Sequence, residues 1–338
     1  MKIVCFEIAP WERRYLTKAL KPLRATVECL AEPLTEGSVA RAKGAAIVSV
    51  FIYSQVTAPV LKRLPGLRFV ATRSTGFDHI NLTACQAHQV RVSNVPAYGE
   101  NTVAEHTFAL ILSLSRNVHK AYVRTVRGDF SLTGLQGFDL KGKVLGVVGA
   151  GRIGLHVIKM AKGFGMRVLA SDVRQDPFLS EVLDFRYTPL PDLLNESDIV
   201  SLHVPYSHAT HHLMNRQMFR LMKPGALLIN TARGSLVDTH ALVWALDEGI
   251  VGGAGLDVLE GEELVKEERQ LFEQDVPKEK LITALKNNIL LHRENVVITP
   301  HIAFDSREAL QRILDTTVAN IAGFLTGSPI NLVLSQRL

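Results

Sequence analysis

A chain of 338 residues with 47% apolar and 21% charged residues has globular composition and is long enough to bury more than one core. Its net charge of +5 is small for this length, and no Lys/Arg tract with interleaved aromatics occurs, which argues against a nucleic-acid partner. Polar residues interrupt every apolar run before the roughly 18–20 residues of a membrane span, and the three cysteines form no CxxC pair, so no membrane segment, disulfide framework or metal site is expected. Met1–Ile8 (MKIVCFEI) reads as a first strand and not as a signal peptide. The expectation is a reduced, cytoplasmic protein.

In chain order, short apolar runs predict strands at Lys2–Ile8, Thr26–Leu30, Ala45–Val50, Leu67–Ala71 and Val90–Val95. Helices are expected at Glu12–Leu20, Pro59–Leu64 and Leu82–His88. Strands of this kind belong to parallel sheets covered on both faces. Thr102–Arg116 is apolar almost all round and predicts a buried helix, with Gly128 and Gly134 in the loop after it.

A second, more regular block begins at Lys143, with strands expected at Lys143–Val148, Arg167–Ala170, Ile199–His203, Ala226–Asn230, Gly255–Val258 and Val296–Thr299. Helices are expected at Ile153–Phe164, Gln217–Met222 and His240–Glu248. The connection from Gly261 to Asn295 is too long for a simple loop and predicts helical pieces at Leu264–Phe272 and Lys278–Lys286. One long helix, Arg307–Leu325, closes the chain. The pattern is α/β with doubly wound parallel sheets.

Gly149, Gly151 and Gly154 form GAGRIG directly after the strand KVLGVV and at the start of a helix. The first glycine permits the turn, the second lets a diphosphate approach the backbone, and the third lets helix and strand pack closely. The amides of Arg152 and Ile153 lie at the helix N-terminus, which carries partial positive charge. Asp172 lies eighteen residues after Gly154 at the end of the next strand, where a carboxylate accepts from ribose hydroxyls and repels a 2′-phosphate. NAD is therefore the expected cofactor, with Arg174 leaving some room for NADP.

Three further residues fall at or just after predicted strand ends, where open α/β sheets place ligands. Arg233 follows LLINTA, Glu262 follows GLDVLEG, and His301 follows VVITP. Arginine offers a fork to a carboxylate, histidine exchanges protons near neutral pH, and a neighbouring glutamate favours the imidazolium and orients the ring. Each alone has a bland alternative as a surface charge or structural histidine.

The ordered motifs carry more weight. RSTGFDHINL (Arg73–Leu82), NVPAYGENTVAEHTFALILSLSR (Asn94–Arg116), KVLGVVGAGRIG (Lys143–Gly154) and HVPYSHATHHLMN (His203–Asn215) are followed by MKPGALLINTARGSLVD (Met222–Asp238), GAGLDVLEGE (Gly253–Glu262) and NVVITPHIAF (Asn295–Phe304). Over nearly its whole length the chain resembles the D-isomer-specific 2-hydroxyacid dehydrogenases, nearest their D-lactate branch. The resemblance implies that Arg233 binds the substrate carboxylate and carbonyl, that His301 is the general acid and base, and that Glu262 is its partner. It implies that Asp257 holds the nicotinamide carboxamide, that Val204, Pro205 and Thr231 line the cofactor, that Thr75 and Gly76 cradle the substrate carboxylate, and that Tyr98 donates its hydroxyl.

It also implies a Rossmann cofactor domain, residues 99–301, inserted into a discontinuous flavodoxin-like substrate domain of residues 1–98 and 302–338, and a homodimer joined near Thr102–Arg116. Phe51, Tyr98 and Phe304 would favour a small C3 group, and so pyruvate and D-lactate. The segment after Glu262, EELVKEERQLFEQD, departs from that of some lactate enzymes, which leaves open a broader reductase of 2-ketobutyrate, phenylpyruvate, hydroxypyruvate or glyoxylate. An NADH-sensing corepressor of the same fold is the remaining alternative, together with the oxidation of a different anion, such as phosphite, on the same scaffold.

Overall fold

A computed structural model describes residues 1–261 and 278–333. Glu262 and the expected helix at Leu264–Phe272 lie outside the described residues. The chain divides into two compact units, Met1–Tyr98 with Ser306–Leu338, and Gly99–Asp305.

The first unit holds β1 (Lys2–Cys5), β2 (Thr26–Cys29), β3 (Ala45–Val50), β4 (Phe69–Thr72) and β5 (Arg91–Ser93). They form one parallel sheet in the order β2-β1-β3-β4-β5, the flavodoxin-like winding. Alternate side chains feed two cores. Ile3, Cys5, Ile47, Phe69 and Ala71 pack with Leu16 and Leu20 of α1 (Pro10–Leu20) and with Leu314 and Ile321 of the last helix, Arg307–Leu325. Val4, Phe6, Val48, Val50 and Val70 pack with Val60 and Leu61 of α2 (Ala58–Lys62) and Cys85 of α3 (Leu82–Ala87). Burial on both faces is why these strands read as unbroken apolar runs. The last helix starts where the Ser306 side chain accepts from the Ala309 amide at 3.2 Å, and its Phe324 ring stacks on Phe69 at 4.4 Å.

The second unit carries β6 (Val144–Val148), β7 (Arg167–Ser171), β8 (Arg186–Tyr187), β9 (Ile199–Leu202), β10 (Ala226–Asn230), β11 (Val251–Leu256) and β12 (Val296–Ile298). Their order, β12-β11-β10-β9-β6-β7-β8, is parallel throughout and reverses direction between β6 and β9. This is a Rossmann sheet with one added strand. Its helices are α4 (Glu100–Ser115), α5 (Val118–Val126), α6 (Arg152–Gly163), α7 (Pro177–Val182), α8 (Leu190–Glu196), α9 (Arg216–Phe219), α10 (Thr239–Asp247) and α11 (Lys278–Leu291), and the last helix of the chain is α12. No helix among the described residues is long and apolar enough to cross a membrane.

Two differences from expectation have physical reasons. The strand expected at Gly255–Val258 runs instead over Val251–Leu256, because its glycines answer to close neighbours, Gly252 to the Gly225 backbone, Gly253 to Asn295 and Gly255 to Leu110 of α4. A Cβ on Gly255 would sit 2.9 Å from Leu110 Cβ and 3.0 Å from Ile229 Cδ1, and one on Gly253 would sit 2.8 Å from the Asn295 carbonyl oxygen. Helix α5 is unforeseen because it has no buried residue, and it leaves Val118, Tyr122, Val123 and Val126 exposed. Gly255→Ala should destabilise the second unit by about 1–3 kcal/mol through overpacking against α4. Urea denaturation of this variant beside Gly249→Ala, whose Cβ would meet nothing, separates crowding from backbone strain, because only Gly249 has positive φ.

Candidate active site

The sheet of the second unit reverses direction where β6 ends, and the glycine loop follows there. Gly149 has φ +98°, and a Cβ on it would lie 2.8 Å from the His203 carbonyl. A Cβ on Gly154 would lie 2.0 Å from the Gly149 oxygen. Both glycines are therefore required by the protein's own packing. Gly151 differs: nothing lies within 4 Å of its Cβ position, so the space beside it is open for a ligand to approach the backbone. The amides of Gly151 and Ile153 donate to no described residue, which leaves two N–H groups for a diphosphate at the N-terminus of α6.

Asp172 follows β7, accepting from the Ala150 amide at 2.7 Å and the Arg174 amide at 2.8 Å. It thus tethers the glycine loop. Val204 packs against the core, Pro205 accepts from the Thr210 hydroxyl at 2.8 Å, and buried Thr231 meets the Thr107 hydroxyl at 3.1 Å. Arg152, mostly exposed, pairs with Glu100 at 3.5 Å. These residues fit a dinucleotide.

Three adjacent strands bring two catalytic candidates, Arg233 and His301, and the cofactor candidate Asp257 to neighbouring strand ends, while Glu262 lies outside the described residues. Asn230, Leu256 and Ile298 are in register across β10, β11 and β12. Arg233, Asp257 and His301 come three, one and three residues later. Asp257 is buried and its amide donates to the Asn230 carbonyl at 2.9 Å. Its Oδ1 accepts from the Thr299 hydroxyl at 2.5 Å and the Ile302 amide at 2.9 Å, and its Oδ2 accepts from the Ala303 amide at 2.9 Å. His106 of α4 places Nε2 3.4 Å from Oδ1 and 2.9 Å from the Thr299 hydroxyl. Burial opposes the charge on Asp257, but the hydrogen bonds from His106, Thr299, Ala303 and Ile302 outweigh it and hold the carboxyl below its ordinary range.

This carboxylate holds the backbone around His301. That residue sits at φ +56°, a left-handed conformation that costs a histidine free energy and persists only where its surroundings fix it. The His301 amide donates to the Asp257 carbonyl at 2.9 Å while the next two amides donate to the Asp257 side chain. The ring meets Phe304 edge-on at 6.5 Å.

Arg233 is set by Asn230, whose side chain donates to the Arg233 carbonyl at 2.8 Å and accepts from the Ala232 amide at 3.0 Å. A Cβ on Gly234 would fall 2.1 Å from the Leu259 carbonyl, so the arginine loop lies directly on the segment leading to Glu262. Glu260 anchors that segment. Its carboxylate meets His212 Nε2 at 2.5 Å and the Thr239 hydroxyl at 2.9 Å, and its carbonyl accepts from Asn287 at 2.8 Å. His106, Thr299, Asn230, Gly234 and Glu260 were not anticipated from sequence. All five lie inside the quoted motifs, and His106, the one imidazole in a helix that buries most of its apolar side chains, gave the clearest signal.

In the first unit, Thr75 donates its hydroxyl to the Val95 carbonyl at 2.8 Å, its own carbonyl accepts from Asn94 at 2.8 Å, and the Gly76 carbonyl accepts from Ser74 at 2.6 Å. The loop is pinned, while the Thr75 and Gly76 amides donate to no described residue. The Tyr98 carbonyl accepts from Arg312 at 2.5 Å, and Phe51 lies under the Arg73 guanidinium at 5.5 Å.

Asp257→Asn should cost about 3 kcal/mol at neutral pH, because an amide NH2 would face backbone donors. The native carboxyl is depressed on folding, so its contribution is present above the unfolded pKa and is lost as pH falls through the lower folded one. The gap between wild type and variant in urea denaturation should therefore close below the usual carboxylate range, and a gap independent of pH would contradict this account.

The family model described as D-isomer specific 2-hydroxyacid dehydrogenase, NAD binding domain, matches residues 108–303. The chain is 36% identical to the D-lactate dehydrogenase of Escherichia coli over 97% of its own length and 98% of that protein. It is 41% identical to a D-specific alpha-keto acid dehydrogenase of Enterococcus faecium, with 82% of each covered. The structure of Aquifex aeolicus D-lactate dehydrogenase complexed with NAD and lactic acid superposes with a TM-score of 0.88 at 37% identity, covering 99% of this chain and 100% of that one. The chain belongs to the D-isomer-specific 2-hydroxyacid dehydrogenase family, and residues 108–303 are its NAD-binding domain.

Proposed function

We propose that this dehydrogenase is a D-lactate dehydrogenase that reduces pyruvate with NADH. The observation that carries the reading is the register of β10, β11 and β12, which sets Arg233, Asp257 and His301 at neighbouring strand ends in the unit that holds the glycine loop. The likeness to the Escherichia coli enzyme supports pyruvate as the keto acid, and Phe51, Tyr98 and Phe304 are each assigned to the substrate's C3 side on the family resemblance. The Enterococcus faecium relative keeps a broader 2-keto acid range in view.

Bound NADH supplies a hydride to C2. The guanidinium of Arg233 grips the substrate carboxylate and draws electron density from the C2 carbonyl. The Thr75 and Gly76 amides of the first unit are assigned to binding a substrate carboxylate on the family resemblance alone. The imidazolium of His301 donates its proton to the C2 oxygen as the alcohol forms, and the neutral ring takes it back in lactate oxidation. Glu262 is assigned as the partner that keeps the ring protonated before reduction. Asp257 Oδ2 accepts from Ala303 alone among the described residues, which leaves a lone pair for the nicotinamide carboxamide. Asp172 is assigned to the ribose hydroxyls, giving NAD over NADP.

The working form is proposed to be a homodimer, joined through the second unit. Support comes from the apolar side chains that unit leaves exposed on α5 and just after it: Val118, Tyr122 and Val126, then Phe130 and Leu132.

Initial rates with NADH and NADPH against pyruvate, 2-ketobutyrate, phenylpyruvate, hydroxypyruvate and glyoxylate should be highest with NADH and pyruvate. A higher kcat/KM for a bulkier acid would overturn the lactate assignment. His301→Ala should lower kcat about 10²–10⁴-fold with NADH affinity kept, and full activity would remove His301 from proton transfer. Sedimentation should give twice the chain mass, with Tyr122→Lys combined with Val126→Asp shifting it to the monomer.

A further inference from the structure

In the first unit, as in the second, the strand order reverses beside the first strand, here between β1 and β3. The crevice outside the strand ends at such a point is where open α/β sheets take ligands. Here the chain's own side chain fills it. Glu7, just past β1, reaches across to the loop after β3, where its Oε2 accepts from the Phe51 amide at 2.9 Å and the Ser54 amide at 3.1 Å. Its Oε1 accepts from the Tyr53 amide at 2.9 Å, and the Ser54 hydroxyl donates to Oε2 as well. Three backbone N–H groups and one hydroxyl converge on one carboxylate, a cradle of the type that binds anions.

The backbone of Glu7 is itself held in an unusual state. Its φ is +55°, in the left-handed region where glycine or asparagine is the ordinary choice. Buried Arg73 fixes that turn from the opposite side, donating Nη2 to the Phe6 and Glu7 carbonyls at 2.8 Å each and Nη1 to the Ser49 hydroxyl at 3.1 Å. The same guanidinium covers the Phe51 ring at 5.5 Å. A residue with no backbone preference for this conformation occupies it where a carboxylate, and no glycine, can bind the loop.

We propose that Glu7 is a positioning residue: an internal carboxylate that clamps the Phe51–Ser54 loop through its amides and thereby sets the size selectivity exerted by Phe51. The selectivity clause rests on the assignment of Phe51 to the substrate's C3 side under Proposed function. The clamp itself does not.

Glu7→Gly removes the carboxylate and suits the left-handed backbone, so the variant should fold; Glu7→Gln keeps one acceptor oxygen and turns an NH2 toward the amides. Hydrogen exchange of peptides spanning 50–55 should quicken about 10-fold or more in Glu7→Gly as the loop opens locally, less in Glu7→Gln, and slow again when formate is added to fill the vacated cradle. The ratio of kcat/KM for phenylpyruvate to that for pyruvate should rise about 10-fold in Glu7→Gly, return toward wild type with formate, and leave NADH affinity unchanged. Unchanged exchange in Glu7→Gly overturns the clamp. Faster exchange with an unchanged substrate ratio overturns its role in selectivity. If the wild type reduces no 2-keto acid, the functional reading fails separately, and the selectivity clause with it, while the exchange and formate arm still decides the clamp.

Discussion

The strand ends of the second unit that lead into Arg233 and His301 depend on one buried anion. Asp257 gathers donors from α4, from Thr299 and from the backbone on the far side of His301, so one carboxylate ties α4 to the loop around His301, distant from it in sequence. Because those donors favour the ionised form, the group accepts hydrogen bonds across the whole range in which an imidazole changes charge. The left-handed turn at His301 is maintained from outside the residue. A side chain held this way needs little reorganisation when it acts, which is where preorganised sites gain most of their advantage.

Two doubly wound sheets of different strand order treat the corresponding crevice in opposite ways. In the second unit, Gly151 leaves the crevice open and turns unused amides toward it. In the first, Glu7 fills it and uses the amides. Topology offers an anion site in both cases, and local side chains decide whether a ligand or the protein itself takes it. The amides of Thr75 and Gly76, also at a strand end of the first unit, remain available.

Much of this was legible in the sequence where local chemistry and global fold agree. Strands buried on both faces read as apolar runs, and Ala45–Val50, Ala226–Asn230 and the helix Arg307–Leu325 were read with the bounds the structure gives them. The glycine motif announced its own geometry. What escaped reading had a common cause, dependence on a neighbour remote in sequence. β11 is hidden because its glycines answer to Gly225, Asn295 and Leu110 of α4, while α5, outside that rule, has no fully buried residue to mark it. Glu7 looks like one charge at the end of a strand until β3 is laid beside it, and His106 like a stray polar residue until Asp257 is. The roles proposed for Arg233, Glu262 and His301 rest on the ordered motifs, and no single residue carries them.

The path of the chain through the two units has a consequence for synthesis. The core on one face of the first sheet needs Leu314 and Ile321 of α12, beside Leu16 and Leu20 of α1. These partners lie at opposite ends of the polypeptide, so on the ribosome the first unit waits with that face uncovered until almost the whole chain has emerged. The second unit draws all its strands from one continuous stretch, Gly99–Asp305, and can close first. The second unit can thus close before the first is complete, and the apolar face of β1, β3 and β4 that awaits α12 is the surface a nascent-chain chaperone would cover.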